Sequence, residues 1–278
     1  MKIEVAYVVD IQGAGAFQFA DQLVVSLKSM CETARPDDET VVHIVYHNLS
    51  DGVIGAIAKL TSDSFRIQFD RIPDGELERM QAYSKQRPDS PFRAWCGVVF
   101  ARLYLARYLP KVDRVLYLDA DTLIRGPLNE LFSWDLKGKI FGMVPGIVPE
   151  YGYNSGVMVM DLKRMRDEDV FPAMDEHIAK YARAYKCHDQ TVINRHFANE
   201  ITPVDFKYNY PPMPGQLGTD RKMLVSAVIW HFYNQQVKPV RMDDQGFALV
   251  EWNRILFGDQ AFIGKPVQTN DNKNTEKE

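Results

Sequence analysis

The sequence predicts an α/β fold with a mostly parallel central sheet flanked by helices. Strand-like and helix-like segments alternate along roughly the first seventy residues, and the second strand is almost wholly apolar, as a strand covered on both faces would be. A further apolar run ends abruptly at two aspartates, where the carboxyl end of a strand in an open α/β sheet would bind a ligand. A length of 278 residues suits one sizeable domain with additions, or two small ones.

Apolar periodicity and turn residues predict the elements of the first half in order. We expect strands over 3–9, 41–46 and 65–69, helices over about 17–31 and 51–60, and a loop over 10–15 that leaves the first strand. Residues 71–91 are polar and contain three prolines, which predicts a surface excursion. Residues 92–109 then return to a helical pattern with one apolar face.

Asp119 and Asp121 follow the apolar run 114–118 and are spaced two apart. Residues i and i+2 of an extended chain point to the same side, so both carboxylates would face one space. Adjacent carboxylates in a poorly solvated place stay ionised only beside a cation, and oxygen ligands suit Mg²⁺ or Mn²⁺. The alternative is a strand-end pair that caps the following turn.

Three other polar features accompany this pair. Arg102 lies near the apolar face of the helix before the strand, where its guanidinium could clamp the carboxylates or reach a phosphate. Its position on the helix, taken alone, favours a surface arginine whose aliphatic stem packs on the core. Asn154 and Ser155 lie in a glycine-containing turn that leads into an apolar strand. Asp189 and Gln190 precede a helical segment, for which Asp189 would serve as the N-cap.

Composition narrows the function classes. A net charge of −4 argues against a general nucleic-acid binder, so we expect no nucleic-acid partner. The three cysteines lack paired spacing, which argues against a disulfide framework and against a zinc site. This cysteine usage favours a reducing, cytoplasmic location. No apolar run approaches the ~18–20 residues of a membrane span. The first nine residues lack the features of a secretory signal.

Four segments, taken together and in this order, resemble glycosyltransferase family 8: residues 101–110, 113–123, 153–162 and 189–194. That family includes bacterial lipopolysaccharide hexosyltransferases and glycogenin, which are retaining, metal-dependent enzymes that use UDP-sugars. The resemblance implies a single Rossmann-like GT-A domain over 1–263, with a mixed, mostly parallel sheet. It also implies a nucleotide-binding half (1–125) and an acceptor- and sugar-binding half (126–263). Residues 264–278 are polar, and this composition predicts a disordered tail.

The same resemblance implies a set of site residues. Metal ligands would be Asp119, Asp121 and His231, holding Mn²⁺ or Mg²⁺. Residues that bind the UDP-sugar would be Val8, Val9 and Asp10 at the nucleobase, Asp119, Ala120 and Asp121 at the ribose and diphosphate, Asn154 and Ser155 toward the sugar, and Arg102 and Lys238 toward the diphosphate. Catalytic residues would be Arg102, Asp189 and Gln190, with Gln190 on the face where the acceptor attacks.

The closing segment departs from the family pattern. Asn234 stands where a glycine is expected after the histidine, and Lys238 falls one residue late, so the loop from His231 to Lys238 must be longer or bulged. The loop after the first strand also departs, because residues 10–15 replace the family's usual uracil contact.

The function implied is transfer of a hexose from a UDP-sugar to a glycan, lipooligosaccharide or glycosylated-protein acceptor. Two alternatives stay open: a nucleotide-sugar-binding protein without turnover, and a haloacid-dehalogenase-type phosphohydrolase in which Asp119 would be phosphorylated. Residues 247–263 carry several large apolar side chains, which favour either a peripheral contact at the inner membrane face or a helix that closes the core. The oligomeric state is left open.

Overall fold

The computed structural model of the protein describes residues 1–11, 16–85, 97–182, 188–212, 221–233, 252, 254 and 255. The strands are β1 (Lys2–Val9), β2 (Glu39–Tyr46), β3 (Phe65–Arg71), β4 (Arg114–Leu118), β5 (Thr122–Ile124), β6 (Phe141–Pro145), β7 (Tyr153–Asp161), β8 (Ile201–Pro203) and β9 (Ile229–His231). The α-helices are α1 (Ala16–Thr33), α2 (Asp51–Ala58), α3 (Asp74–Lys85), α4 (Leu105–Tyr108), α5 (Asn129–Phe132), α6 (Leu162–Asp167), α7 (Phe171–Tyr181), α8 (His188–His196) and α9 (Arg221–Ser226). A 3₁₀ helix, Gly97–Tyr104, precedes α4, and shorter 3₁₀ turns include Phe206–Tyr208.

Seven strands form one sheet in the order β3-β2-β1-β4-β7-β6-β8. The first four strands in this order run parallel, β7 is antiparallel to both β4 and β6, and β8 is parallel to β6. The predicted mixed, mostly parallel sheet is therefore confirmed. Strands from both predicted halves of the chain share this sheet, because β4 pairs with β7 at its centre.

Alternation along the strands divides the core between the two faces of the sheet. In β4, Leu116 and Leu118 pack on the face covered by α1 and α2, whereas Val115 and Tyr117 pack on the other face. That second face carries α3, the 3₁₀ helix Gly97–Tyr104 and helices α4 and α6–α8. Asp119 follows Tyr117 by two residues, so it belongs to the side of the sheet on which the 3₁₀ helix lies.

A separate two-stranded sheet joins β5 to β9 in antiparallel register, with Thr122 opposite His231 and Leu123 opposite Trp230. Beneath it lies a third apolar cluster of Val25, Leu123, Tyr210, Ala227, Trp230, Phe232, Trp252 and Ile255. Trp252 and Ile255 are buried there, which favours the core-closing alternative for these two residues over a membrane contact. The remainder of 247–263, except Arg254, lies outside the described residues, as does the predicted tail 264–278.

The expected surface excursion before β4 was wrong, whereas the helical segment expected after it is confirmed with a different helix geometry. Residues 74–85 form a helix, α3, because Leu77 and Met80 lie one turn apart on a buried face; the flanking prolines and polar residues obscured this pattern. The predicted helix over 92–109 is described from residue 97 onward, where it is 3₁₀ as far as Tyr104 and α-helical only at Leu105–Tyr108. Within the described part of the chain, no helix combines the length and the apolar character needed to cross a bilayer.

Candidate active site at the carboxyl end of β4

The acidic pair, Asp119 and Asp121, occupies the short connection between β4 and β5. Backbone hydrogen bonds hold this connection on both sides: the Asp119 N–H donates to the Gly156 carbonyl at 2.8 Å, and the Phe232 N–H donates to the Asp121 carbonyl at 2.9 Å. The Thr122 hydroxyl also donates to the Asp119 carbonyl at 2.8 Å. The pair is thus fixed between β7 and the chain just after β9, in agreement with the predicted strand-end position.

His231 completes a cluster of three ligand-type side chains, although it is far from the acidic pair in sequence. Its Nε2 lies 3.5 Å from Asp119 Oδ2 and 3.2 Å from Asp121 Oδ1. One ligand atom from each of the three residues lies within 4.8 Å of the others. We refer to these three residues as the candidate metal site. The pairing of β9 with β5 is what returns His231 to the acidic pair.

The candidate metal site attracts positive charge. Burial alone would lower the pKa of His231, but the carboxylates of Asp121 and Asp119 raise it to about 9. Burial opposes ionisation of Asp119, yet Arg102 and His231 hold the pKa of that carboxyl below its usual value. The Asp119 carboxylate therefore stays ionised, and the site is complementary to a cation.

Arg102 lies beneath the acidic pair and is buried, so the surface alternative for it was wrong. Its Nη1 is 3.0 Å from Asp119 Oδ1 and donates to the Ser155 carbonyl at 3.3 Å, while its Nε lies 3.4 Å from Asp189 Oδ2. The guanidinium carbon stacks 4.7 Å from the centre of the Tyr117 ring. This geometry favours the predicted carboxylate clamp, because the guanidinium is held between two acids.

Asp189 lies inside the first turn of α8 and not ahead of it, so the N-cap interpretation was wrong. Its Oδ2 accepts a hydrogen bond from the Ser155 hydroxyl at 2.9 Å in addition to the ion pair with Arg102. Burial raises the pKa of Asp189 above its usual value, although Arg102 opposes that rise. The contact places Ser155, expected near the sugar, beside Asp189, expected among the catalytic residues.

Gln190 and Asn154 meet near the start of β7. Gln190 Oε1 accepts from the Ser155 N–H at 3.3 Å and from Asn154 Nδ2 at 3.4 Å, and Gln190 Nε2 donates to the Tyr151 carbonyl at 3.2 Å. Asn154 Oδ1 accepts from the Gly156 N–H at 2.9 Å. The predicted sugar-binding and acceptor-side residues are therefore adjacent to one another.

The predicted nucleobase contacts lie where β1 ends. Val8 and Val9 close β1, and Asp10 follows with its carboxylate accepting from Asn48 Nδ2 at 2.9 Å. Asn48 comes from the end of β2, and its carbonyl accepts from the Ile11 N–H at 2.9 Å. Ala120 lies between the two aspartates and is partly buried. Lys238 and Asn234 lie outside the described residues.

Several residues of the site were not predicted. The Tyr117 hydroxyl donates to Asp119 Oδ1 at 2.6 Å, and the Asn209 Oδ1 lies 2.8 Å from His231 Nδ1. Gly156 packs directly against the candidate metal site, because a Cβ at this position would overlap His231 Cε1 and lie 2.7 Å from Asp119 Oδ2. Tyr117 and Gly156 belong to the recognised motif segments, which gave a signal for them; Asn209 lies outside those segments.

Comparison with known proteins decides the family. The model of glycosyl transferase family 8 matches residues 11–241, which include every described site residue except Val8, Val9 and Asp10. The chain belongs to glycosyl transferase family 8. This assignment confirms the resemblance inferred from the motif segments and contradicts the phosphohydrolase alternative.

Sequence matches to curated relatives cover part of this chain, whereas superpositions on solved structures cover almost all of it. The chain is 31% identical over 111 residues to the glycosyltransferase GlyF of Streptococcus pneumoniae, a match that covers 38% of this chain and 28% of GlyF. It is 27% identical over 170 residues to the lipopolysaccharide 1,2-glucosyltransferase of Escherichia coli, with 55% and 47% covered. The chain thus spans less than half the length of either relative.

Among solved structures, the galactosyltransferase LgtC in complex with donor and acceptor sugar analogues superimposes with a TM-score of 0.72 at 21% identity. That superposition covers 95% of this chain and 98% of LgtC. GlyE of S. pneumoniae superimposes with a TM-score of 0.71 at 18% identity, covering 94% of this chain and 61% of GlyE. These likenesses confirm the predicted GT-A fold.

The donor set suits the divalent metal that family 8 implies. Two carboxylates and one imidazole nitrogen match the ligands preferred by Mn²⁺ and are compatible with Mg²⁺, which binds through one or two carboxylates and retains other oxygen ligands. The second ring nitrogen of His231, Nδ1, lies 2.8 Å from Asn209 Oδ1. His231 Nε2 is consequently the ring nitrogen that faces the carboxylates.

We predict that Gly156→Ala will weaken Mn²⁺ binding by at least ~10-fold and reduce the free energy of unfolding by ~1–3 kcal/mol. The added methyl group would overlap the His231 ring, which is buried and cannot swing freely away. Mn²⁺ affinity is measured by electron paramagnetic resonance of free Mn²⁺ in the presence of UDP, and stability by urea denaturation.

The matched control for this substitution is Gly55→Ala, where an added Cβ meets no atom within 4 Å. It should leave the Mn²⁺ affinity unchanged. An unaltered affinity in a folded Gly156→Ala protein would contradict the assignment of His231 as a metal ligand.

Proposed function

We propose that this chain transfers a hexose from a UDP-sugar to a hydroxyl of a glycan, lipooligosaccharide or glycosylated-protein acceptor, with retention of configuration at the sugar. The observation that carries the proposal is the candidate metal site itself, where Asp119, Asp121 and His231 converge above a buried Arg102. This arrangement lies at the carboxyl end of a central strand, where α/β sheets bind their ligands. Membership of family 8 supports the same conclusion.

Charge explains why transfer needs this arrangement. Breaking a sugar–phosphate bond leaves negative charge on UDP while positive charge develops at the anomeric carbon. A Mn²⁺ or Mg²⁺ ion held by Asp119, Asp121 and His231 would supply positive charge at the diphosphate. Arg102 fixes the Asp119 carboxylate from below, so that it is ionised and oriented for the cation.

The sugar would lie over the polar groups carried by β7 and α8. Asn154, Ser155 and Asp189 would orient the hexose, and Gln190 would face the attacking acceptor hydroxyl. These residues already form one hydrogen-bonded set, so their positions are fixed before a substrate arrives. Retention through a covalent intermediate and retention through same-face attack are both compatible with these residues.

The uridine would occupy the ends of the parallel strands. Val8, Val9 and Asp10 would border the uracil, and Asp119 with Ala120 would approach the ribose. Lys238, which follows the altered closing segment, would bind the diphosphate. We further propose a cytoplasmic location for this protein. The identity of the sugar depends on pocket contacts that the motif residues do not specify.

We predict that the protein releases UDP from a UDP-sugar in the presence of Mn²⁺ or Mg²⁺ and that chelation with EDTA abolishes this release. Asp119→Asn and Asp121→Asn should each reduce the rate by at least ~100-fold, because they remove ligand charge that stabilises the departing diphosphate. A screen of UDP-sugars with a coupled assay for UDP measures both effects.

The control is Asp113→Asn, which removes an exposed carboxylate at the opposite end of β4, where Asp113 pairs with Arg166 at 2.8 Å. It should retain full activity. Binding of a UDP-sugar without release of UDP would support the binding-protein alternative, and full activity in EDTA would contradict the metal assignment.

Stereochemistry gives an independent test. We predict that a donor with an α-linked sugar yields an α-linked product, because the proposed reaction retains configuration. The coupling constant of the anomeric proton in the first-formed product, measured by NMR, distinguishes the two anomers. A β-linked product would exclude the retaining mechanism for this chain.

A further inference from the structure

Asn209 is a buried residue that directly follows the 3₁₀ turn Phe206–Tyr208. It contacts the candidate metal site at His231 Nδ1, the ring nitrogen that does not face the carboxylates. Its Oδ1 lies 2.8 Å from His231 Nδ1. The surrounding backbone fixes this contact, since the Tyr210 N–H donates to the Ile229 carbonyl at 3.0 Å and the His231 N–H donates to the Tyr210 carbonyl at 2.9 Å. Asn209 therefore has a defined position relative to the imidazole.

One backbone group determines the direction of the hydrogen bonds around Asn209. The Gly156 N–H can only donate a hydrogen bond, and its partner is the side-chain amide of Asn154. The acceptor in that amide must be its oxygen, Oδ1. The same oxygen lies 2.8 Å from the amide nitrogen of Asn209, which must therefore be the donor. With its NH₂ group directed at Asn154, Asn209 presents its carbonyl oxygen to His231.

A carbonyl oxygen accepts and cannot donate, so the partner of Asn209 on His231 is an Nδ1–H group. The neutral imidazole then carries its lone pair on Nε2, the nitrogen that faces Asp119 and Asp121. Metal-ligating histidines depend on such a partner to fix the tautomer and the ring orientation. The chain of contacts runs from the Gly156 backbone through Asn154 and Asn209 to His231.

We infer that Asn209 is a positioning residue, which holds His231 in the tautomer and orientation needed for Nε2 to bind the divalent metal. Asn154 anchors Asn209, so the amide of Asn154 has this task in addition to the sugar contact proposed above. The inference rests on the proposed metal-dependent function, and it concerns a residue outside the recognised motif segments.

Two variants of Asn209 separate positioning from packing. Asn209→Leu keeps a similar shape but removes the acceptor, and it should weaken Mn²⁺ binding in the presence of UDP by ~10–100-fold. Asn209→Asp retains an acceptor oxygen for Nδ1–H but loses the donor to Asn154 Oδ1, so it should bind Mn²⁺ more tightly than Asn209→Leu. The affinities are measured by electron paramagnetic resonance of free Mn²⁺.

The control is Thr202→Val, which removes another buried hydrogen bond, from the Thr202 hydroxyl to the Leu136 carbonyl at 2.7 Å. It should lower stability and leave the Mn²⁺ affinity unchanged. Wild-type affinity in a folded Asn209→Leu protein would overturn the inference while leaving the proposed function intact. Failure of the wild type to bind Mn²⁺ with UDP would overturn the proposed function and the inference together.

A second measurement needs no variant and applies even if Asn209→Leu fails to fold. Long-range ¹H–¹⁵N correlation spectra of the wild type, labelled at histidine and loaded with Mg²⁺ and UDP, report which ring nitrogen of His231 carries the proton. We expect the proton on Nδ1. A proton on Nε2 would overturn the inference.

Discussion

Two carboxylates held side by side at the end of a buried strand must be neutralised, and much of the structure around Asp119 and Asp121 meets this requirement. Desolvation penalises each charge, and the two charges repel each other. Arg102 approaches Asp119 from the 3₁₀ helix Gly97–Tyr104, and His231 approaches both aspartates from β9. Removal of either partner would leave a poorly solvated charge with less compensation, which is costly in a protein interior.

The placement of His231 depends on strand register. In the β5–β9 pair, Trp230 lies opposite Leu123 within the third apolar cluster, and His231 lies opposite Thr122. Successive residues point to opposite sides, so a slip of one residue would direct the tryptophan toward the carboxylates and expose the cluster. Burial of Trp230 therefore specifies the register that brings the histidine to the acidic pair. Apolar packing and electrostatic complementarity support the same arrangement.

Much of the fold and the chemistry of the acidic pair could be predicted from the sequence, because both follow from local patterns. The apolar strands, their alternation with helices and the i, i+2 spacing of Asp119 and Asp121 are local features. The resemblance to family 8 then supplied His231 and Asp189, which the structure brings within ion-pair distance of the acidic pair and of Arg102, respectively.

Other features depend on contacts between distant parts of the chain, which periodicity does not encode. Helix position alone suggested a surface Arg102, because nothing local shows that Tyr117, Asp119 and Asp189 surround its guanidinium. Asn209 follows a short 3₁₀ turn with no motif of its own, and only the fold places it against His231. The steric role of Gly156 likewise appears only once the imidazole is in place.

The most direct test of this account is a crystal structure with Mn²⁺ and UDP, in which anomalous scattering locates the ion. We expect one strong peak within about 2.0–2.2 Å of carboxylate oxygens of Asp119 and Asp121 and of His231 Nε2, with the diphosphate on its other side. A manganese ion bound to UDP but away from His231, or held by other side chains, would contradict the account.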